Sequence, residues 1–195
     1  MACLYPLARL IYKYKFGGLG ANPIEFITLA TGISTLTLLL ATLAVTPVRK
    51  LAGLNWLIRF RRLLGLFAFF YACLHFMTYV WLDKFFDLHD MLGDVAKRPF
   101  ITAGFVAFMS MVPLAVTSTA WSIRKMGGKN WNQLHRLIYL SGIAAVVHFW
   151  WKVKADHRRP ATYGAVLAAL LLYRAAAWAW PRLRSGDAKA ADAIT

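Results

Sequence analysis

Three of the five histidines in the chain lie within long apolar stretches, where an ionisable side chain is costly and usually has a function. These are His75, His135 and His148, whereas His89 and His157 lie between the stretches. An imidazole in a membrane can ligate haem iron, relay protons, or simply bond one helix to another. One such histidine would most simply be a helix–helix hydrogen-bonding residue, but three together favour a cofactor site.

The depths of these histidines predict which of them share a site. His75 lies 12 residues after Leu63, where one apolar stretch begins, and His148 lies 17 residues after Trp131, where another begins. At a helical rise of about 1.5 Å per residue, two parallel helices place both imidazoles in the same half of the membrane. We therefore predict that His75 and His148 ligate one b-type haem from opposite faces.

His135 is expected near the other membrane face, at a second site. It lies 13 residues before His148, which separates the two side chains by about 140° around an ideal helix. Both can face the interior only if that helix is distorted, and Ser141-Gly142 is the expected place of the distortion.

Arg61 is the candidate binding residue that accompanies His135 at this inner depth. It precedes His75 by 14 residues, which comes within about 40° of four whole helical turns, so both side chains share one face. A guanidinium there could bind a haem propionate, a flavin phosphate or, less commonly, the iron itself. The simpler interpretation is that Arg59, Arg61 and Arg62 mark the side of the membrane and contact lipid headgroups.

The composition indicates that membrane helices position these residues. Hydrophobic residues make up 59% of the chain and charged residues only 16%, against about 25% charged residues in soluble domains. The net charge of +15 comes from bases that lie mostly in short connections, which is a topology signal and not a nucleic-acid patch. We predict an all-α integral membrane protein, a six-helix transmembrane bundle whose first helix, within Met1–Phe16, is short. The other five spans are predicted at Ile24–Val45, Leu63–Leu82, Phe100–Trp121, Trp131–Trp151 and Pro160–Trp180.

The charges of the connections predict the orientation. Val48–Arg62 holds five bases and no acid, so it is expected in the cytoplasm. Asp83–Pro99 and Lys152–Arg159 then lie outside, although the second of them is basic and does not follow the rule. Residues 1–181 are predicted to form the transmembrane domain, and residues 182–195 a disordered cytoplasmic tail.

Five segments carry a resemblance to a known family. Together they resemble the haem-binding membrane subunits of the bacterial periplasmic methionine-sulfoxide reductase system, the MsrQ family, within the ferric-reductase-like transmembrane superfamily. The match runs from about Gly17 to Tyr173 and is specific in combination. The segments are Gly17–Pro23 (GGLGANP), Leu38–Pro47 (LLLATLAVTP), Leu57–Leu66 (LIRFRRLLGL), Leu114–Thr119 (LAVTST) and Trp131–Tyr139 (WNQLHRLIY).

The resemblance implies a location, cofactors and partners. It implies a multi-pass protein of the bacterial inner membrane that takes electrons from a quinol or a cytosolic flavin reductase. Such a protein passes the electrons to a periplasmic molybdopterin-containing methionine-sulfoxide reductase subunit, with which it forms a heterodimer. That partner carries out the catalytic reduction that repairs oxidised proteins. The implied cofactors are haem b, one or two, and FMN.

The resemblance also implies site residues by position. The haem lies between the third and fifth helices, with His75 and His148 as ligands of its iron. His135 matches the other histidine of the fifth helix and is the candidate ligand of a second haem iron. Superfamily members with two haems carry a further histidine 14 residues before the equivalent of His75, and Arg61 occupies that place here.

Two other functions remain open at this stage. A proton channel or transporter could use the intramembrane histidines as a relay, and it would be colourless where a haem protein is red. A self-sufficient ferric or oxygen reductase would carry a flavoprotein domain, and none is recognised in these residues.

Overall fold

The computed structural model describes the backbone of residues 2–192 and the side chains of residues 2–180, and this part of the chain is helical and contains no strand. A π-helical stretch, Thr78–Asp83, extends the third helix, and short 3₁₀ turns lie at Ala2–Leu4 and Asn55–Leu57. The α-helices are α1 (Tyr5–Lys15), α2 (Pro23–Ala52), α3 (Ile58–Met77), α4 (Leu88–Lys97), α5 (Pro99–Val116), α6 (Ala120–Met126), α7 (Gly128–Leu134), α8 (Leu137–Lys152) and α9 (Arg158–Asp192).

The short first helix expected within Met1–Phe16 is present as α1, and a buried tyrosine fastens it to the bundle. The Tyr71 hydroxyl on α3 donates to the carbonyl of Cys3 at 2.8 Å and accepts from the backbone N–H of Leu7 at 3.1 Å. Because Tyr71 is only 1% exposed, these bonds satisfy a hydroxyl that would be costly to bury alone.

Two antiparallel helical hairpins form the bundle. α2 packs along α3, and α5 packs along α8, while α9 lies against α2 and α8. Leu39 of α2, Ala68 and Ala72 of α3 and Met111 of α5 form a buried cluster between the hairpins. The alanines let the helices approach closely, as is usual for helices that pack within a membrane. The ends of α3 and α8 therefore meet the beginnings of α2 and α5.

Four helical segments are long and apolar enough to cross a membrane within the described residues. They are Pro23–Ala52, Asn55–Asp83, Pro99–Val116 and Arg158–Trp180, in agreement with four of the five predicted full spans. The multi-pass membrane architecture is thus confirmed, whereas the count of six transmembrane helices stays a prediction.

The predicted span Trp131–Trp151 is not one continuous α-helix, because His135 and Arg136 separate α7 from α8; whether the two helices cross the membrane together stays a prediction. At this junction the amides of Arg136, Ile138 and Tyr139 bond to carbonyls three residues earlier instead of four. Such bonds tighten the chain and turn successive side chains to new directions. The distortion expected at Ser141-Gly142 therefore lies six residues earlier, and α8 has only 16 residues.

The predicted span Phe100–Trp121 also ends early, at Val116. The hydroxyls of Thr117 and Ser118 donate back to the carbonyls of Pro113 and Leu114, each at 2.6 Å. The Thr119 hydroxyl then accepts from the N–H of Ser122 and caps a new helix, α6. At the other end of the chain, the backbone of α9 continues to Asp192. All side chains of the predicted tail, residues 182–195, lie outside the described ones, so that domain boundary stays a prediction.

Candidate functional site

The structure brings His75 and His148 together at one end of the bundle. Their ring centroids are 6.0 Å apart, and the ring planes meet at 77°. His75 lies in the last turn of α3, and His148 lies in the last turns of α8. The equal depths that the sequence predicted thus correspond to a direct pair in the structure.

A backbone carbonyl fixes the protonation of each ring. Nδ1 of His75 lies 2.9 Å from the carbonyl of Thr28 on α2, and Nδ1 of His148 lies 2.6 Å from the carbonyl of Phe100 on α5. Because a carbonyl can only accept, each Nδ1 carries the hydrogen and donates it. Each Nε2 therefore keeps its lone pair, which is the form that ligates a metal.

A glycine lies against each ring, one helical turn after the carbonyl that holds it. A Cβ on Gly104 would lie 2.7 Å from Nδ1 of His148, and one on Gly32 would lie 3.0 Å from Cε1 of His75. In a helix the carbonyl of residue i already accepts from the amide of residue i+4. Because residue i+4 is glycine in both places, a ring can approach closely enough to donate a second bond.

His75 and His148 are the residues that could hold one metal ion between them. With metal–nitrogen bonds of about 2 Å on each side, two imidazoles bound to one iron have ring centroids about 6 Å apart. Each ring also donates its other N–H to a backbone carbonyl, as metal-binding histidines usually do. The donor set, its spacing and its protonation therefore suit a bis-histidine haem.

His135 lies at the opposite end of the bundle, in the bend between α7 and α8. The indole of Trp131 stacks on its ring at 3.7 Å and donates its N–H to the carbonyl of Thr117. The Thr117 hydroxyl lies 3.1 Å from Nε2 of His135. This hydroxyl donates its own hydrogen to the carbonyl of Pro113. Nε2 of His135 therefore donates to Thr117, and its lone pair is on Nδ1. The other four histidines lie toward the His75 end.

Arg61 also lies at this end, as the sequence predicted. Its guanidinium interacts electrostatically with His135, with Tyr139 and with Arg174. Arg174 donates to the carbonyls of Leu43 and Leu170 and lies 5.6 Å over the Tyr139 ring. The side-chain Nε of Arg49, near the end of α2, is buried without a hydrogen-bond partner. The carboxylates whose side chains the structure describes all lie toward the other end.

Sequence reasoning missed several of these residues. Arg174 could have been found, because it is a charged residue inside a predicted span, and such residues usually have a role. Gly32 and Gly104 could have been noticed as glycines within apolar helices, which often mark a close approach. No sequence signal indicated that Thr117 would engage His135.

An ion-pair cluster fastens α4 beside the His75 end. Asp94, 7% exposed, accepts from Lys84 at 2.7 Å and from Arg98 at 3.1 Å, and the hydroxyl of Tyr79 lies 3.4 Å away. The bond from Lys84 lowers the pKa of Asp94, and the same bond raises the pKa of Lys84. The connection Asp83–Pro99 is thus a helix held in place and not an open loop.

Comparisons with known proteins agree with this architecture. Residues 28–146 match the family described as ferric reductase like transmembrane component. Proteins named "Protein-methionine-sulfoxide reductase heme-binding subunit MsrQ" are similar over nearly the whole chain. The one from Herminiimonas arsenicoxydans is 52% identical over 97% of this chain and 88% of its own length. The one from Bordetella pertussis is 52% identical over 93% of this chain and 88% of its own length. The one from Caulobacter vibrioides is 48% identical over 89% of this chain and 83% of its own length.

No solved structure matches the chain. The similarity to the curated relatives covers both histidine ends of the bundle, and it is high enough to establish common membership. The chain belongs to the MsrQ family of heme-binding subunits of protein-methionine-sulfoxide reductase, and its helical bundle is a ferric-reductase-like transmembrane component.

Proposed function

We propose that this chain is the haem-containing membrane electron-transfer subunit of a methionine-sulfoxide reductase system. The observation that carries the proposal is the pairing of His75 with His148. Their ring centroids are 6.0 Å apart, and each Nδ1 donates to a backbone carbonyl. The relatives are named as heme-binding subunits, which supports the same function here.

In this proposal His75 and His148 hold a haem b through their Nε2 atoms. A bound haem supplies one-electron redox chemistry, and the protein supplies ligands, orientation and an apolar surrounding. The carbonyls of Thr28 and Phe100 keep both rings in the ligating tautomer, and Gly32 and Gly104 let the rings reach those carbonyls. Among the described side chains, no carboxylate forms an ion pair with either imidazole.

The Arg61 end is the proposed place of electron entry and of FMN. Arg61 has no carboxylate partner among the described residues, and Nε of Arg49 is buried without a bond, so this end suits an anionic group such as a flavin phosphate. Nε2 of His135 is already engaged by Thr117. That bond leaves the lone pair of His135 on Nδ1, and a second haem iron at His135 stays a prediction.

The proposed orientation places the Arg61 end in the cytoplasm of a bacterium, and the protein in its inner membrane. Val48–Arg62, with five bases and no acid, lies at that end. Electrons would enter there from a quinol or a cytosolic flavin reductase. They would leave at the His75 end to a periplasmic molybdopterin-containing subunit that forms a heterodimer with this chain and reduces methionine sulfoxide.

Absorption spectroscopy of the purified protein tests this function. We expect a Soret band with haem bound in a constant ratio to protein. His75→Ala and His148→Ala should each lose the haem or its low-spin spectrum, because either change removes one axial imidazole. The matched control is His157→Ala, because His157 lies 5.0 Å from the Trp150 ring, outside the pair. A colourless protein, or full haem in both variants, would contradict the proposal and favour a proton relay.

A further inference from the structure

A lysine lies one helical turn beyond His148. Lys152 ends α8 and follows His148 by four residues, so the two side chains share one face of the helix, with Lys152 about 6 Å nearer the end of the bundle. The Lys152 ammonium lies 5.9 Å from the centroid of the Phe100 ring, and that centroid lies 6.2 Å from the centroid of the His148 ring. The carbonyl of Phe100 accepts from Nδ1 of His148. Phe100 is therefore close to both the candidate ligand and the lysine.

The charge of Lys152 acts on the whole histidine pair. The ammonium interacts electrostatically with His75 as well as with His148. An imidazole that donates from Nδ1 and keeps the lone pair of Nε2 is neutral, so neither ring offers the ammonium a counter-charge. Lys152 thus places a positive charge beside two groups that carry none.

Lys152 differs from two other bases at this end of the bundle, because those two already have a carboxylate partner. Lys84 and Arg98 both pair with Asp94, whereas none of the ion pairs among the described residues includes Lys152. The Lys152 side chain is exposed. It is therefore available to an anionic group that belongs to a cofactor of the pair.

A haem carries such anionic groups. The macrocycle of haem b bears two propionate carboxylates at its edge, and a carboxylate near a membrane is costly unless a cation or water pairs with it. An ammonium toward the end of the bundle can pair with a carboxylate there while the apolar macrocycle stays among the helices. The position and the free charge of Lys152 therefore match the chemistry of a propionate.

We propose that Lys152 binds a propionate carboxylate of the haem that His75 and His148 hold. Lys152 is then a binding residue for the cofactor and not a ligand of its iron. Its positive charge also stabilises the reduced form, which carries an additional electron, and so raises the midpoint potential of the haem. This inference rests on the proposed function, because it needs a haem at the histidine pair.

Titration of the purified full chain with haem b and with its dimethyl ester, in which both carboxylates are esterified, tests the contact. Lys152→Gln should weaken haem binding about two- to fivefold, the range of an exposed ion pair, and should leave binding of the ester unchanged. Lys152→Arg keeps the charge and should bind haem like the unchanged protein. In a redox titration of the haem-loaded protein, Lys152→Gln should lower the midpoint potential, with an equilibrium constant for reduction about two- to fivefold smaller.

Lys154→Gln is the matched control, because it removes the same charge two residues later, beyond the end of α8. The electrostatic interactions of His75 and His148 include Lys152 but not Lys154. The control should bind haem and the ester like the unchanged protein, and thermal unfolding should confirm that every variant is folded.

Three results would overturn this inference and leave the haem site standing. They are unchanged haem affinity in Lys152→Gln, an equal loss of affinity for haem and for the ester in Lys152→Gln, and equal effects of Lys152→Gln and Lys154→Gln on haem. If the unchanged protein binds neither haem nor the ester, the proposed function itself fails, and this inference fails with it.

Discussion

Gly104→Ala tests whether the backbone of α5 positions His148 as a ligand. The new Cβ would lie 2.7 Å from Nδ1 of His148 and 3.0 Å from its Cε1. The ring cannot move away freely, because Nδ1 also bonds to the carbonyl of Phe100 at 2.6 Å. The added methyl group therefore fits only if the His148 ring moves from its present position.

The expected magnitude follows from comparing two opposing effects. Alanine is a better helix former than glycine by about 1 kcal/mol, and this gain applies with or without a ligand. Overpacking in a well-packed site costs about 1–3 kcal/mol, and this cost falls on the ligating position of His148. We therefore expect the free energy of unfolding of Gly104→Ala to stay close to that of the unchanged protein. Its haem affinity should fall about five- to hundredfold.

Haem content and the low-spin spectrum, measured during titration with haem, provide the assay. Gly32→Ala should have a smaller effect, because its Cβ would lie 3.0 Å from His75. Gly164→Ala is the control, since its Cβ would make an ordinary contact of 3.6 Å with Val146. If Gly104→Ala binds haem as tightly as Gly164→Ala does, the glycine does not position the ligand and the reasoning fails.

Three further changes test other parts of the molecule. Arg61→Ala should slow reduction by the electron donor while the haem at His75 is retained; Arg61→Lys should behave like alanine if the planar guanidinium binds a cofactor, and like the unchanged protein if Arg61 only marks topology. A reporter fused after Thr195 should be active only in the cytoplasm, and periplasmic activity would invert the proposed orientation. Because Lys84 lowers the pKa of Asp94, their pair stabilises α4 at neutral pH and is lost as the pH falls through that lowered value. Hydrogen exchange in α4 should therefore rise in acid, whereas Asp94→Asn should exchange fast already at neutral pH and show no acid step.

The pairing of His75 with His148 was accessible from the sequence because depth in a membrane follows from residue count. A helix crosses the bilayer with a fixed rise per residue, so two histidines at equal distances from the membrane edge must lie at similar depth. The same regularity placed Arg61 at the level of His135. These predictions needed only local geometry and the direction of each helix.

The break before α8 was not accessible in this way, because contacts between distant residues define it. Trp131 bonds to the carbonyl of Thr117, and the Thr117 hydroxyl engages His135. Both bonds join the end of α5 to α7 or to the residue that follows it, and a hydropathy pattern predicts neither bond. The helix α4 was missed for a related reason, since Asp94 holds it in place through Lys84, ten residues earlier.

The two halves of the candidate haem site use the same construction. In each hairpin, the first helix holds the histidine of its partner helix with a carbonyl at one position and a glycine four residues later: Thr28 and Gly32 hold His75, and Phe100 and Gly104 hold His148. Each hairpin therefore orients its own ligand through contacts within that hairpin, and the two hairpins pack together at Leu39, Ala68, Ala72 and Met111. Packing between the hairpins at this small core then sets the distance between the two rings, whose orientation and protonation are fixed within each hairpin.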